Sequence, residues 1–352
     1  MLTDRNIVVT GGTGSLGKVL VRRLLSGELG KPKRITVFSR DEAKQNTMRL
    51  AYQHLKTATE EVIYRDFEQI LQFKIGDVRD YHSVSGVMRN ADIVFNAAAL
   101  KQVPSCEYFP FEAVQTNIIG PENIVQSIRE NKLPVETVVG ISTDKACKPV
   151  NVMGMTKAIQ ERVFVQANMD CTTTRFICVR YGNVLASRGS VIPLFHEQIR
   201  NGGPVTITTP EMTRFLLSLD EAVDTIFAAL NKANRGETYI PRVPSARVMD
   251  IAEVLIGNRP VKTTISGIRP GEKIHEILVS EEEAHRTVEG GSYYVITPIL
   301  PDLRTMTRGE SMLQGEYSSA DNVLTNAELE KLLKKHKLMV GDRTQDEEDM
   351  LA

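Results

Sequence analysis

The chain has 352 residues, 41% of them hydrophobic, which is enough for the packed core of one large domain or two smaller ones. Its net charge of −1 gives no support to nucleic-acid binding. We expect a cytoplasmic protein, because the sequence has neither a signal peptide nor an apolar run of membrane-spanning length. The four cysteines form no C-x-x-C pair, so neither a metal cluster nor a disulfide framework is expected.

The first predicted element is a buried strand over residues 6–10, followed by a glycine-rich turn and an amphipathic helix. Gly11, Gly14 and Gly17 have the spacing G-x-x-G-x-x-G. Glycines allow the backbone to approach a pyrophosphate closely, and the helix N-terminus then faces the anion. The order of strand, glycines and helix predicts a dinucleotide site. The same turn contributes Thr13, Ser15 and Leu16 to that site.

The second strand, predicted over 34–38, ends in polar and basic residues. Enzymes that use NAD usually carry a carboxylate at this strand end to bind the ribose 2′-hydroxyl. Here Ser39 and Arg40 occupy that place, and Lys44 lies one helical turn later. These side chains suit a 2′-phosphate, so we predict NADP rather than NAD. The alternative is that they only begin a solvated helix.

Residues 45–69 are polar and charged, and they predict a helical insertion to which we assign no function. The third and fourth strands are predicted over 71–75 and 92–96. Three small residues that follow the fourth strand would let the backbone lie against a cofactor: Ala97, Ala98 and Ala99.

The stretch over residues 140–157 carries the densest chemistry in the chain. An apolar run ends in Thr143, Asp144 and Lys145, and the next predicted helix carries Lys157. These hydroxyl, acid and amine groups are sufficient for acid–base chemistry on one carbon skeleton. In a regular strand Asp144 and Lys145 would point to opposite faces, so we expect the strand to break into a loop here. The alternative interpretation is an exposed ion pair.

This stretch resembles the active site of extended short-chain dehydrogenases, which carry Tyr-x-x-x-Lys here. Lys157 matches the lysine, whereas Met153 stands at the tyrosine position. Ser-Thr-Asp-Lys-Ala over 142–146, followed by Asn-x-Met-Gly-x-Thr-Lys over 151–157, is similar to nucleotide-sugar 4,6-dehydratases that act on UDP-N-acetylglucosamine. Among these dehydratases, the sequence resembles the soluble, capsular-polysaccharide type, which has Met in place of the catalytic Tyr.

The resemblance extends from about residue 4 to about residue 300. It implies a Rossmann-like, doubly wound parallel α/β sheet with a smaller α/β substrate-binding lobe. The NADP-binding domain would cover 1–184, with parts of 205–245 returning to it, and 185–335 would mainly form the lobe. We expect the acidic, polar tail over 341–352 to be disordered.

The resemblance also implies roles for individual residues. Asp77 and Val78 would contact the adenine, and Lys157 would hold the nicotinamide ribose. Asn117 lies on a helix predicted from about residue 111 to about residue 131, and it would brace the active-site strand. Arg269 would grip the diphosphate and Glu272 the uridine ribose, at the start of a short helix. The full set of implied substrate contacts is Lys101, Asn183, Ser190, Val191, Arg214, Arg269 and Glu272.

The implied reaction oxidises carbon 4 of the sugar with bound NADP⁺, which makes hydrogen 5 acidic. Lys145 then removes proton 5 while Asp144 protonates the departing 6-hydroxyl, and hydride returns to carbon 6. Lys145 can act as a base only if its pKa is lowered, which we expect beside a cationic nicotinamide. The Met153 thioether cannot accept the 4-hydroxyl proton. Our hypothesis is that Asp144 takes it, directly or through Thr143 or water.

Other interpretations remain open at the level of sequence. The closeness to capsular enzymes favours inversion at carbon 5. A dehydratase of a GDP- or TDP-linked sugar and a nucleotide-sugar 4-epimerase are the alternative enzymes. A protein that senses NADP or a nucleotide sugar without turnover is the alternative of a different class. The family resemblance implies a homo-oligomer, either a dimer or a hexamer.

Overall fold

The structure is a computed structural model that describes residues 1–54, 67–185, 190–304 and 313–342. The insertion predicted over 45–69 therefore lies partly outside the described residues. The same is true of the tail predicted to be disordered, of which only Gly341 and Asp342 are described.

The strands are β1 (Asn6–Thr10), β2 (Arg34–Ser39), β3 (Leu71–Ile75), β4 (Ile93–Asn96), β5 (Thr137–Ile141), β6 (Arg175–Val179), β7 (Val205–Ile207), β8 (Thr213–Phe215), β9 (Thr238–Pro241), β10 (Ser245–Arg247), β11 (Thr263–Ile265), β12 (Ile277–Val279), β13 (Thr287–Gly290), β14 (Tyr293–Ile296) and β15 (Tyr317–Ser318). The helices are α1 (Ser15–Leu25), α2 (Glu42–His54), α3 (Phe67–Ile70), α4 (Tyr81–Met88), α5 (Val103–Tyr108), α6 (Pro110–Val114), α7 (Gly120–Asn131), α8 (Val152–Asp170), α9 (Val191–Arg200), α10 (Leu219–Lys232), α11 (Val248–Ile256), α12 (Glu281–Ala284) and α13 (Asn326–Lys335).

The described residues form a main sheet of nine strands in the order β13-β14-β9-β6-β5-β4-β1-β2-β3. All neighbours from β9 to β3 are parallel, and β14 and β13 extend the sheet antiparallel. The strand order reverses between β1 and β4, which is where open α/β sheets bind their ligands. The predicted Rossmann-like, doubly wound class is confirmed.

Alternate residues of the strands are buried on opposite faces of this sheet, as the period of two requires. On one face Ile7 and Val9 pack in a cluster with Leu20 of α1 and Ile226 of α10. On the other face Val8 packs in a cluster that contains residues of α4, α7 and α8. Helix α10 and strand β9 thus bring part of 205–245 back to the main sheet.

A second, smaller region follows β6. It contains the strand pairs β7–β11, β8–β10 and β12–β15. Its core is formed by the apolar sides of α9, α11 and α13, with Phe195, Leu255 and Leu329 fully buried. Strands β13 and β14 lie within 185–335, the stretch predicted to form mainly the substrate-binding lobe. In the structure they extend the main sheet instead.

Two predicted helices differ from the structure. The helix predicted over 111–131 is divided, because a π-helical turn at Gln115–Ile119 separates α6 from α7. The helix predicted to open at Arg269 is wrong: the chain makes a turn there, and Gly271 has a φ of +79°. A positive φ at Gly271 and a proline before it favour a turn over a helix.

A buried ion cluster joins the main sheet to the smaller region. Arg180 follows β6 and is 2% exposed. It donates to Glu161 of α8 at 3.0 and 2.6 Å, and to Glu283 of α12 and the Leu278 carbonyl at 2.7 and 2.8 Å. Burial alone would raise the pKa of Glu283, but Arg180 outweighs it and holds that pKa at about 2. The guanidinium therefore neutralises one carboxylate from each region.

Replacement of Arg180 with Met should lower the free energy of unfolding by about 3–5 kcal/mol, because it leaves the buried Glu161 carboxylate without Arg180 and leaves Glu283 with Arg286 alone. The measurement is urea unfolding of the whole protein. The control is Arg22→Met, which breaks the exposed pair of Arg22 with Asp220 and should cost less than about 1 kcal/mol. Equal losses in the two variants would contradict a special role for the buried cluster.

Candidate active site

The glycine turn between β1 and α1 leaves no room for side chains. Gly11 has a φ of +67°, and a Cβ on it would lie 2.7 Å from the Ala98 nitrogen. A Cβ on Gly17 would lie 2.5 Å from the Gly12 Cα, so α1 packs directly on the turn. Gly14 caps α1 and, within the described chain, no side chain accepts from the first amides of the helix. Those amides fit an anion such as the pyrophosphate of a dinucleotide.

The ends of β1 and β4 are joined at the point where the strand order reverses. The Thr10 hydroxyl donates to the Asn96 side-chain oxygen at 2.8 Å and accepts from the Ala98 amide at 3.2 Å. This arrangement fixes the backbone of 97–99 beside the glycine turn. The predicted small residues therefore lie where a cofactor backbone contact would form, and Ala97 and Ala99 line a cavity.

The residues predicted to bind the adenosine half lie at the ends of β2 and β3. Arg40 is half exposed, 3.7 Å from the Asp77 carboxylate, and Lys44 pairs with Asp41 at 2.7 Å. The Ser39 hydroxyl accepts from Gln45 at 3.0 Å. The Val78 side chain is buried. Asp77 also holds Arg79 at 2.8 Å, so its carboxylate already has two cationic neighbours.

A cavity of about 490 Å³ lies at the carboxyl ends of the central strands, within the usual size range of small-molecule sites. It brings together the following predicted residues: Ser15, Leu16, Ala97, Ala99, Lys101, Thr143, Asp144, Lys145, Met153, Lys157, Asn183, Ser190, Arg214, Arg269 and Glu272. A neighbouring cavity of about 210 Å³ shares several of them and adds Val191. Gly11, Thr13, Gly14, Gly17, Ser39, Arg40, Lys44, Asp77, Val78 and Ala98 line neither cavity.

The expected break after β5 is present. Thr143 is extended, and a 3-10 turn over Asp144–Ala146 follows it. The Thr143 hydroxyl donates to the Asp144 carboxylate at 2.7 Å, and the Lys145 amine donates to the same oxygen at 3.2 Å. The Asp144 carboxylate and the Lys145 amine therefore lie on the same side of the chain, although the two residues are adjacent in sequence. Both residues line the cavity.

Glu276 is a cavity-lining carboxylate that the sequence did not indicate. It lies just before β12, is 2% exposed, and holds the Lys145 amine at 3.3 Å and the Arg214 Nε at 3.7 Å. No motif or spacing connects it with residue 145. Strand β12 enters from the smaller region, so the contact depends on the tertiary fold.

The protein groups around Lys145 raise its pKa. Burial disfavours the charged amine, but the attraction of Asp144 and then Glu276 outweighs burial. The prediction of a lowered pKa assumed a cationic nicotinamide beside Lys145 and did not include the second carboxylate. With this raised pKa, Lys145 is an ammonium that must lose a proton before it can act as a base.

Lys157 has the opposite environment. Its amine is buried and donates to the Ile141 carbonyl at 2.5 Å and to the Gln160 side chain at 2.6 Å. Neither acceptor is charged, and burial lowers the pKa of Lys157 to about 8. The amine predicted to hold a ribose is thus anchored on the end of β5, at the cavity wall.

Met153 lines the cavity and packs on Cys106 and Ala113 in a small buried cluster. At the position where related dehydrogenases carry a tyrosine, this chain therefore has an apolar side chain between a small buried cluster and the cavity. Asn117 does not brace β5 as predicted: it exchanges hydrogen bonds with the Leu100 backbone and donates to Thr156 of α8. It braces the loop that carries Lys101.

Buried polar atoms without hydrogen-bond partners are concentrated around this cavity. Among the described residues they include Asp144 Oδ2, Asn183 Oδ1, Ser190 Oγ and Glu276 Oε2. Each buried polar group without a partner costs about 1–3 kcal/mol, which a ligand that bonds to it would recover. The cavity is also lined by cationic side chains: Lys101, Lys145, Lys157, Arg214, Arg269 and Lys273. Such a lining suits a ligand that is polyhydroxylated and anionic.

The described residues show neither a helix able to span a membrane nor a cluster able to hold a metal ion. None of their helices is both long and apolar enough to cross a bilayer. They also contain no group of three or more His, Cys, Asp or Glu side chains placed to hold a metal ion. The four cysteines are free and buried.

Comparison with known proteins identifies the family. The family model described as "Polysaccharide biosynthesis protein" matches residues 7–298. The chain belongs to this polysaccharide biosynthesis family. A Rickettsia bellii relative named "UDP-glucose 4-epimerase" is 42% identical over 325 residues, which are 91% of this chain and 90% of the relative. A Rickettsia typhi relative with the same name is also 42% identical over 325 residues, with the same shares of each chain.

Solved structures share the Rossmann-like fold of this family member. The X-ray structure of Pen from Bacillus thuringiensis is 34% identical, has a TM-score of 0.83, and covers 96% of this chain and 100% of its own. The dTDP-glucose 4,6-dehydratase DesIV from Streptomyces venezuelae, solved with NAD and TYD, has a TM-score of 0.63 at 20% identity, over 76% and 86% of the two chains. The UDP-glucose 4-epimerase of Thermus thermophilus with NAD has a TM-score of 0.60 at 20% identity, over 76% and 88%. The last two likenesses establish the fold.

The pKa of Lys157 should be visible in the pH dependence of stability. Its value of about 8 in the folded state lies below the ordinary value of 10.5, so the unfolded chain binds more protons between these two pH values. Stability should therefore rise with pH across that window. We expect the unfolding free energy of wild type, minus that of Lys157→Met, to increase by about 3 kcal/mol between about pH 7 and about pH 11.

The measurement is urea unfolding of both proteins across this pH range. Lys145→Met is the control of opposite sign, because the pKa of Lys145 is raised. The stabilisation due to its charge is fully present below the ordinary value of 10.5 and is lost as pH rises through the folded-state pKa. A difference between wild type and Lys157→Met that does not vary with pH would contradict the shift.

Proposed function

We propose that this protein is a nucleotide-sugar 4,6-dehydratase that converts UDP-N-acetylglucosamine to a UDP-linked 2-acetamido-2,6-dideoxy-4-hexulose, with inversion at carbon 5. The observation that carries the proposal is the pairing of Asp144 with Lys145 at the cavity, where Met153 replaces a proton-accepting tyrosine. Elimination of water needs an acid and a base at one sugar. A nicotinamide dinucleotide, when bound, supplies the hydride acceptor and donor that flank this elimination.

Asp144 is the group best placed to take the 4-hydroxyl proton. Met153 has no acidic proton and only a weak acceptor sulfur. Asp144 is fully buried, its Oδ1 accepts from Thr143, and its Oδ2 has no partner among the described residues. A substrate hydroxyl that donates to Asp144, directly or through Thr143, would supply that missing partner.

Protonation of Asp144 also changes Lys145. The Asp144 charge is one of the two that raise the pKa of Lys145. Once Asp144 has taken a proton, that attraction is lost and Lys145 can release its own proton more easily. Lys145 then removes proton 5 while Asp144 returns its proton to the departing 6-hydroxyl. The two groups thus move protons in sequence, and their ion pair forms again when water leaves.

Other cationic and polar residues that line the cavity would hold the nucleotide. Arg214 and Arg269 offer planar donors for a diphosphate, and Glu272 can accept from a ribose hydroxyl. Asn183 and Ser190 carry buried atoms that need partners. Self-association, which the family resemblance implies, and a cytoplasmic location both stay predictions.

We propose NADP as the cofactor because Ser39 and Arg40 stand where a ribose-binding carboxylate is usual. Replacement of Arg40 with Ala should weaken NADP⁺ binding by about 10–100-fold and NAD⁺ binding much less, since only NADP⁺ carries the 2′-phosphate. Calorimetric titration of both cofactors measures this. Arg49→Ala is the control, because the Arg49 guanidinium lies over the Phe73 ring away from the cavity. Equal losses for both cofactors would argue against NADP.

A nucleotide-sugar 4-epimerase is the second candidate, because relatives that are 42% identical are named UDP-glucose 4-epimerase. Such an enzyme inverts carbon 4 and leaves the 6-hydroxyl in place. An epimerase would not need a second proton-transfer group beside Asp144. The presence of Lys145 in the same cavity therefore favours the dehydratase.

Proton NMR of the purified protein in deuterated water, with UDP-N-acetylglucosamine or UDP-glucose, separates the two candidates. A dehydratase gives a 6-deoxy methyl signal with deuterium at carbon 5. An epimerase gives the 4-epimer with no 6-deoxy methyl signal, and that result would overturn the proposal. The ring couplings of the product report the configuration at carbon 5.

Asp144→Asn should lower turnover by about 10²–10⁴-fold, because the amide cannot take the 4-hydroxyl proton. In a single turnover, the rate at which the absorbance of reduced nicotinamide appears should fall by the same factor, since oxidation of carbon 4 is the first step. Asp80→Asn is the control: Asp80 caps α4 away from the cavity, and Asn caps equally well. Intact oxidation of carbon 4 in Asp144→Asn would show that another group takes this proton.

A further inference from the structure

We infer that Glu276 is a positioning residue of this site: it holds the Lys145 ammonium through Oε1 and stores the proton that Lys145 must release before elimination. This inference rests on the proposed function, because only an elimination that uses Lys145 as a base needs such a store. Neither the glycine turn nor the Asp144 segment of the sequence points to Glu276.

The Glu276 backbone is held by Ser319. Its amide donates to the Ser319 hydroxyl at 2.9 Å, and its carbonyl accepts from the Ser319 amide at 2.8 Å. The Ser319 hydroxyl lies 2.6 Å from the Thr213 hydroxyl, next to Arg214 of β8. The backbone that carries the Glu276 side chain is therefore fixed beside β8.

The two oxygens of Glu276 differ in their surroundings. Oε1 faces the Lys145 amine at 3.3 Å and the Arg214 Nε at 3.7 Å. Oε2 is buried and, in the part of the chain that the structure describes, has no hydrogen-bond partner. An anionic oxygen in such a place is costly, and a proton on the carboxylate removes that cost.

Charges from each neighbouring segment act on Lys145. Asp144 and Glu276 attract its proton, whereas Arg214 and Lys273 repel it. When Asp144 holds the 4-hydroxyl proton, Glu276 is the remaining carboxylate in contact with the Lys145 amine. Glu276 is then the acceptor within reach for the surplus ammonium proton.

The protons balance over one catalytic cycle. The 4-hydroxyl proton goes to Asp144, and the Lys145 ammonium proton goes to Glu276. Lys145 as a free amine breaks the bond between carbon 5 and its hydrogen, while Asp144 returns its proton to the leaving 6-hydroxyl to form water. Because inversion needs a proton on the other face of carbon 5, water supplies that proton, and Glu276 gives the stored proton to the hydroxide that remains, while Lys145 keeps the proton taken from carbon 5. The protein ends as it began.

The test that does not depend on turnover is competitive labelling of amines in the whole protein, read for Lys145 by mass spectrometry across pH. The titration midpoint of Lys145 should fall in Glu276→Gln, because one of its two attracting charges is lost. Asp250→Asn is the control: it removes another buried carboxylate, which lies on α11, pairs with Arg247 and does not line the cavity. It should leave the Lys145 midpoint unchanged.

The second readout is the pH profile of dehydration. Wild-type turnover should be flat across neutral and mildly alkaline pH, since the surplus proton moves within the protein. In Glu276→Gln it must leave to solvent, so turnover near neutral pH should fall by about 100-fold and then rise about tenfold per pH unit. Glu276→Asp keeps a carboxylate and should restore the flat profile at part of the wild-type rate.

Each outcome decides one question. A Lys145 midpoint that is the same in wild type and Glu276→Gln overturns the inference, whatever reaction the protein catalyses. A lowered midpoint with a flat pH profile overturns proton storage. If the wild type forms no 6-deoxy product, the proposed function fails, and so does proton storage for elimination. The labelling result would then still decide whether Glu276 sets the charge of Lys145.

Discussion

Strands β2 and β3 lie on one side of β1, and β4, β5 and β6 lie on the other. With right-handed crossovers, the helices that follow β1 and β4 leave the sheet on opposite faces, so their connecting loops separate. The crevice between these loops is the space into which the glycine turn, the 97–99 backbone and the Asp144 turn all open. The hydrogen bond between Thr10 and Asn96 joins the two strand ends at its base. All the chemistry of the cavity depends on this reversal of strand order.

Two lysines beside this crevice show how local charge decides the state of an amine. Lys145 and Lys157 belong to adjoining segments; Lys157 is buried and Lys145 is partly buried. Lys145 meets two carboxylates and its pKa is raised, whereas Lys157 meets a carbonyl and an amide and its pKa is lowered to about 8. Burial acts in the same direction on both, so the carboxylates account for the difference. A site that moves several protons benefits from amines with different affinities for them.

The features encoded locally were predictable from sequence. The glycine spacing, the third strand over 71–75 and the break at Asp144 each depend on a few consecutive residues, and the structure contains them. The family resemblance also led to the parallel sheet. Contacts between distant segments were not predictable: Glu276 reaches Lys145 because β12 folds back beside the turn after β5. The helix wrongly predicted at Arg269 failed for a local reason, since the Gly271 backbone favours a turn.

The Arg180 cluster has a consequence for how members of this family could be recombined. Glu161 lies one helical turn after Lys157 on α8, while Leu278 and Glu283 lie on the segment that carries Glu276. One guanidinium therefore ties together the supports of both lysines. A chimera that exchanges the smaller region to alter nucleotide preference would have to import a carboxylate at position 283, or one with the same reach. Without it, a buried positive charge would lose half of its compensation, and the spacing between the two amines would no longer be fixed.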